Sequence, residues 1–175
     1  MSLGFLIFGH IKNNNFNSLE SVKNSYTIKA ISPNISLDRF YSKHDELKII
    51  NELIRLSDST KINPTIFLWP EGIISDSYLR DMSTYKNLFQ DNFGEHDLII
   101  MGLNSIETKK GKDLLFNSMA VFNNNLDLIA NYNKINLVPF GEFIPFESIL
   151  SLIGLKTVTN NYQSFSSGKT RIPIN

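Results

Sequence analysis

Thr65 to Trp69 reads TIFLW, a continuous apolar and β-rich run held between Asn63-Pro64 and Pro70. It is too short for a helix, and prolines close it on both sides, so it reads as a buried strand. The flanking patterns supply its cover. From about Asp38 to Asp58 the apolar spacing is helical, with Leu47, Ile50 and Ile54 on one face and Lys48, Glu52 and Arg55 on the other. Tyr78, Met82, Tyr85 and Phe89 repeat at helical spacing until Gly94, and Asp97 to Ile106 returns as a second buried strand. Tyr26 to Ile31 alternates before Pro33 and Asn34 break it. The order is strand, helix, strand, helix, strand, an α/β pattern in which helices cover a sheet.

Further along, Glu107 to Asp113 (ETKKGKD) reads as a charged turn over solvent. Asn117 to Phe122 and Leu126 to Tyr132 then face each other across Asn123 to Asn125, a hairpin in which asparagine is expected to carry the positive φ. Phe146 to Leu155 is apolar and reads as partly helical. A Ser/Asn/Thr-rich loop follows from Thr157 to Thr170, and Arg171 to Asn175 ends the chain.

A chain of 175 residues suits one domain. The expected division is residues 1–24 as a linker or the end of a membrane segment, and residues 25–175 as the N-terminal part of a single domain. Leu3 to Phe8 is apolar, but it has no basic start and no small-residue cleavage site, so it does not read as a signal peptide. The polar run after it, with His10, Lys12 and Asn13 to Asn15, suits a helix leaving a bilayer and equally a frayed terminus. No stretch approaches the roughly 18 consecutive apolar residues of a membrane-spanning helix. With 17 basic and 17 acidic residues the net charge is zero, which argues against nucleic acid and anionic surfaces as partners. There is no cysteine, so disulfides, thiolate metal sites and thiol nucleophiles are excluded within these residues.

The chemistry concentrates in two places. Glu71 stands just beyond the C-terminal end of the first buried strand, where α/β sheets place their ligands. Beside Trp69 and Pro70 a carboxylate is expected to be partly desolvated and suited to general-base work. It would equally suit a cap on the next helix or a partner for an arginine. The second place is Asn131 to Phe146, NYNKINLVPFGEFIPF, where Lys134 and Glu142 sit among apolar residues, two prolines and a glycine. The prolines and glycine restrict the backbone and would preorganise Glu142; a turn carboxylate bonded to nearby amides is the plainer alternative. Phe140, Phe143, Ile144, Phe146, Ile149, Leu150, Leu152 and Ile153 are a dense apolar series, read first as core and otherwise as a lip that meets lipid or an acyl chain.

Other signals fail on spacing. Gly168-Lys169-Thr170 lacks the earlier glycine of a phosphate-binding loop, since Gln163 stands there, and reads as a surface loop. His10, His44 and His96 have no metal-ligand spacing.

Trp69-Pro70-Glu71, Tyr132-Asn133-Lys134 and the run LVPFGEFIP from Leu137 to Pro145 together resemble the nitrilase-like (carbon-nitrogen hydrolase) domain of bacterial apolipoprotein N-acyltransferases. The similarity runs from about Tyr26 onward, and Leu3 to Phe8 is similar to the last turns of that family's membrane region. VPFGEFIP after a lysine is the specific element; WPE alone also fits soluble amidases. The resemblance implies a partial nitrilase-like α-β-β-α sandwich carrying a Glu-Lys-Cys site and no cofactor or metal. Glu71 matches the general base, Lys134 the group that stabilises the oxyanion, and Glu142 the second carboxylate. It implies phospholipid as acyl donor, the α-amine of a diacylglyceryl-cysteine lipoprotein as acceptor, and a bacterial inner-membrane location with the domain facing the periplasm.

The departure from that pattern is the nucleophile. The family's cysteine lies C-terminal to the segment similar to Ser164 to Ile174, no cysteine is present here, and no serine occupies a matching position. The expectation is therefore an acyltransferase fragment, inactive alone and completed by a C-terminal piece that carries the cysteine. A piece of a soluble amidase and a non-catalytic lipid-associating remnant are the alternatives.

Overall fold

A computed structural model of the chain describes residues 3–17, 26–34, 46–74, 77–146 and 164–170. The order is α1 (Leu3–Asn17), β1 (Thr27–Ala30), α2 (Glu46–Ser57), β2 (Thr65–Leu68), a 3-10 segment (Leu79–Tyr85) running into α3 (Lys86–Asn92), then β3 (Leu98–Lys109), β4 (Lys112–Phe122) and β5 (Leu128–Asn133). The five strands form one sheet in chain order. β1, β2 and β3 are parallel neighbours, joined by helical crossovers, and β3, β4 and β5 are antiparallel. The α/β reading holds.

One face of the sheet carries the core. Phe67, Ile99, Met101, Leu103, Ala120 and Phe122 meet Ile50, Leu53 and Ile54 of α2 and Met82, Phe89 and Phe93 from the α3 side. Phe67 and Phe93 pack edge to face with ring centroids 5.1 Å apart, and Trp69 lies 5.5 Å from Phe89. The indole N–H of Trp69 donates to Ser57 Oγ at 3.0 Å, which joins the end of β2 to the end of α2.

Two expectations for buried strands need correction. β2 and β3 are buried on alternate residues only, with Ile66, Leu68, Leu98 and Ile100 half-buried on the second face. The register aligns Ile28 with Ile66, Ile66 with Leu98, and Leu68 with Ile100, so this second face is apolar, and among the described residues no helix covers it. A continuous apolar run states that both faces are greasy; it does not state that both are covered by the same segment.

Smaller differences are local. Leu47 stays exposed in the first turn of α2, and Leu53 joins Ile50 and Ile54 on the buried stripe. The helical pattern from Tyr78 begins as 3-10, with the Asp81 carboxylate accepting the Tyr78 amide at 3.1 Å. The charged segment is no broad loop, because the strands run to Lys109 and from Lys112 and only Lys110 and Gly111 turn, with φ of 52° and 73°. Two consecutive left-handed residues match the twist of a tight hairpin, and the charges remain in water while the ladder continues. In the next hairpin the left-handed residue is Leu126 (φ 55°), not asparagine. Asn123 Oδ1 accepts the amides of Asn125 and Asp127, both at 2.9 Å, and Leu126 is buried, which offsets its strain.

α1 keeps Leu6, Ile7, Phe8 and Ile11 exposed. Among the described residues no helix is long and apolar enough to cross a membrane. The readings for Ser18 to Ser25, for Asp38 to Asp45, for Phe146 to Leu155 beyond residue 146, for Thr157 to Gln163 and for Arg171 to Asn175 lie outside the described residues.

Candidate active site

β2 ends by passing its ladder to Trp69, whose amide donates to the Ile100 carbonyl at 2.8 Å. The ring turns into the core, and Glu71 opens onto the opposite, second face of the sheet, at a turn where Gly72 has φ 65°. Across that face β4 presents Asn117. Lys134 follows β5 directly, and its amide donates to the Asn117 carbonyl at 2.8 Å, continuing the β4–β5 ladder by one rung. Glu142 comes from the loop beyond.

These elements bring Glu71, Lys134 and Glu142 together. Lys134 Nζ donates to Glu142 Oε1 at 2.8 Å and to Glu71 Oε1 at 3.2 Å. Asn117 Nδ2 donates to the same two oxygens, at 2.8 Å and 2.7 Å respectively. The cluster closes on itself, two carboxylate oxygens alternating with two nitrogens. It stands at the mouth of a cavity of about 390 Å³ lined by Leu68, Ile100, Met119 and Tyr132. The lining is mostly apolar and the polar groups are gathered at one end, the usual form of a small-molecule site.

Glu142 is both of the things its sequence allowed. Its Oε2 accepts the Val138 amide at 2.8 Å, so it braces its own turn, and its Oε1 reaches the lysine. The loop is held by Phe140 N to Phe143 O at 2.7 Å and Glu142 N to Val138 O at 2.8 Å, with Phe140 as the left-handed residue at φ 62°. Glu71 differs from expectation. Its side chain is 61% exposed, so the desolvation expected beside Trp69 and Pro70 does not occur; Trp69 buries itself on the other face. Its carboxylate accepts from Asn117 and Lys134, neither a helix N-terminus nor an arginine. The apolar series divides as well: Ile144 is buried, while Phe140 and Phe146 are 74% and 77% exposed and are not core.

The electrostatics follow the contacts. The hydrogen bond to Glu142 holds the Lys134 ammonium above its ordinary value of 10.5, against burial, and Glu71 adds to the effect. Burial pushes Glu142 up, but its bonds from Lys134, the Val138 amide and Asn117 outweigh that and leave it below 4.5. The lowered carboxyl contributes stability above pH 4.5 that is lost as pH falls through the folded value. The raised ammonium contributes below pH 10.5 and is lost as pH rises beyond it. The difference in urea midpoint between wild type and Glu142→Gln is therefore expected to be largest near neutral pH and to shrink below pH 4.5; a difference that grows on acidification would contradict this assignment.

Residues 164–170 strap this site from outside. Phe165 N donates to Glu142 O at 2.8 Å, Gly168 N to Lys134 O at 2.9 Å, and Ser167 Oγ to Ile135 O at 2.7 Å. Of Gly168-Lys169-Thr170, read as a surface loop, Lys169 and Thr170 are exposed and Gly168 is half-buried. A Cβ on Gly168 would fall 2.1 Å from the Asn133 carbonyl oxygen, closer than any side chain can approach. Gly168→Ala is expected to push the strap away at a cost of about 1–3 kcal/mol, seen as a lower urea midpoint together with faster amide exchange at Gly168. A variant as stable as wild type with unchanged exchange would disprove the close packing.

Asn117 was not legible as a site residue. The only signal available was an amide on a strand whose next residues on the same face, exposed Met119 and buried Val121, are apolar.

Solved structures similar to this chain include an N-terminal amidase (18% identical, covering 63% of this chain and 28% of that one, TM-score 0.38) and a carbon-nitrogen hydrolase from Helicobacter pylori (20% identical, 54% and 36%, TM-score 0.36). No family model matches the sequence. In sequence the chain is similar to apolipoprotein N-acyltransferases. The protein of that name from Brucella suis is 27% identical over 154 residues, that from Caulobacter vibrioides 24% over 156, and that from Rhizobium leguminosarum 30% over 133. These alignments take in 82%, 85% and 73% of this chain, and the chain spans 28%, 29% and 25% of those relatives.

Proposed function

We propose that these residues form the base and charge-stabilising part of an apolipoprotein N-acyltransferase site. A cysteine thiol supplied from outside the 175 residues gives its proton to Glu71 and attacks the ester carbonyl of a phospholipid. The oxyanion that develops is offset by the Lys134 ammonium, and Glu142 holds that ammonium in place. Collapse releases the lysophospholipid, which takes the proton back. The α-amine of a diacylglyceryl-cysteine lipoprotein then attacks the thioester and loses a proton to Glu71; the C–S bond breaks, and the departing thiolate takes that proton back, leaving the amide and the free thiol. The observation that carries this reading is the closed Glu71–Lys134–Glu142 cluster at the mouth of an apolar cavity, in a chain similar to acyltransferases of that name. The exposed Phe140, two residues before Glu142, suits a site that takes its donor from lipid. An inner-membrane setting with the domain on the periplasmic side belongs to the same proposal.

The test is reconstitution. The chain alone is expected to give no acyl transfer from phospholipid to a diacylglyceryl-cysteinyl peptide. Co-expressed with the cysteine-bearing remainder of a relative such as that of Brucella suis, it is expected to give turnover. Turnover by the chain alone that Lys134→Ala abolishes would sink the requirement for an outside thiol. Reconstituted activity on small amides and none on phospholipid would favour an amidase instead.

A further inference from the structure

We propose that Asn117 is the positioning residue of this site, the group that keeps Glu71 and Glu142 as two separate carboxylates on a single ammonium. Glu71 Oε1 and Glu142 Oε1 each bind the same two nitrogens, so the two carboxylates share one site, where like charges disfavour each other's ionisation. Two carboxylates against Lys134 leave one negative charge in excess. An amide has two N–H donors, and Asn117 gives one to each oxygen. It stabilises both charges without adding a cation, so the cluster retains a group able to accept a proton. A second lysine or arginine there would suppress that basicity; an apolar residue would leave the two carboxylates to share one proton.

The backbone makes Asn117 a fixed point. Its carbonyl accepts the Lys134 amide at 2.8 Å, so one residue holds the lysine through its main chain and the lysine's two partners through its side chain. It is paired with Asn104 in the β3–β4 register, inside the longest ladder of the sheet. The titratable groups that face it are Glu71 from the turn after β2, Lys134 after β5 and Glu142 from the loop, with Tyr132 lining the same cavity. Glu142 lies below its ordinary value partly because Asn117 donates to it, in accord with this role.

The geometric claim stands on the chain alone; its catalytic meaning rests on the proposed acyl transfer. The experiment follows the carboxyl and lysine signals by NMR titration in wild type, Asn117→Leu and Asn117→Ser, with the amide spectrum as the check on folding. In the leucine variant one carboxyl step of the cluster is expected to rise by about one pH unit, a tenfold gain in proton affinity, and the serine variant, keeping one donor, to fall between. Cluster titrations unchanged in the folded variants would overturn the proposal, and if only the serine variant folds, its titration decides alone. In the reconstituted enzyme Asn117→Leu is expected to lower kcat with KM unchanged and to move the acid limb of the pH profile upward. A titration shift with unaltered acyl transfer would support the positioning role and count against the proposed function.

Discussion

Lys134→Met is expected to lower acyl transfer by the reconstituted site about 100- to 1,000-fold, the usual consequence of removing one donor to a developing oxyanion. The loss should fall on kcat, because an oxyanion exists only in the transition state and the apolar lining at Leu68, Ile100 and Met119, proposed to receive the acyl chain, is unchanged. Methionine keeps the length and removes the charge, so Glu71 and Glu142 then face each other with Asn117 alone between them. The variant should consequently be less stable than wild type at neutral pH and recover part of the difference on acidification, as protonation relieves the repulsion. Rates within threefold of wild type would remove Lys134 from the mechanism.

Phe67→Ala is expected to be the most damaging single change to the fold. Phe67 is fully buried on β2, edge-on to Phe93 at 5.1 Å, with Lys29 Nζ 5.8 Å from its ring centre. Truncating a buried phenylalanine costs about 3–5 kcal/mol through lost burial and the cavity left behind, a large share of the roughly 5–15 kcal/mol that holds a domain of this kind. Urea denaturation checks it: the midpoint should fall steeply while the slope is kept. A loss below about 1 kcal/mol would mean that the site can collapse around the gap. The same substitution should weaken the active site indirectly, since Phe67 anchors the strand from whose end Glu71 projects.

The element order was legible from apolar periodicity. TIFLW between prolines, the helical spacing of Ile50 and Ile54, and the repeat from Tyr78 to Phe89 each produced the element they announce. What periodicity did not carry was cover: β2 and β3 are apolar on both faces yet packed on one. Turn chemistry was legible only in part. Asn123 does organise its hairpin, but through its side chain, and the left-handed position falls to Leu126 because burial of that leucine outweighs the local preference.

For the candidate site, sequence alone singled out three residues that the structure brings into hydrogen-bond contact. Glu71 after a strand, and Lys134 and Glu142 in a proline-bound run, are unusual residues in apolar surroundings, and that contrast is visible in one dimension. Only the tertiary structure decided how they act on one another. Residues 71, 117, 134 and 142 are joined by hydrogen bonds to one pair of oxygens, and no local pattern encodes which oxygen a distant amide will reach. The strap at Gly168 is the same case: a glycine in a polar loop became a contact point because the backbone of Asn133 lies against it. Periodicity records what each segment must bury, whereas the meeting of polar groups from separate strands is set by register and by the ends at which those strands stop.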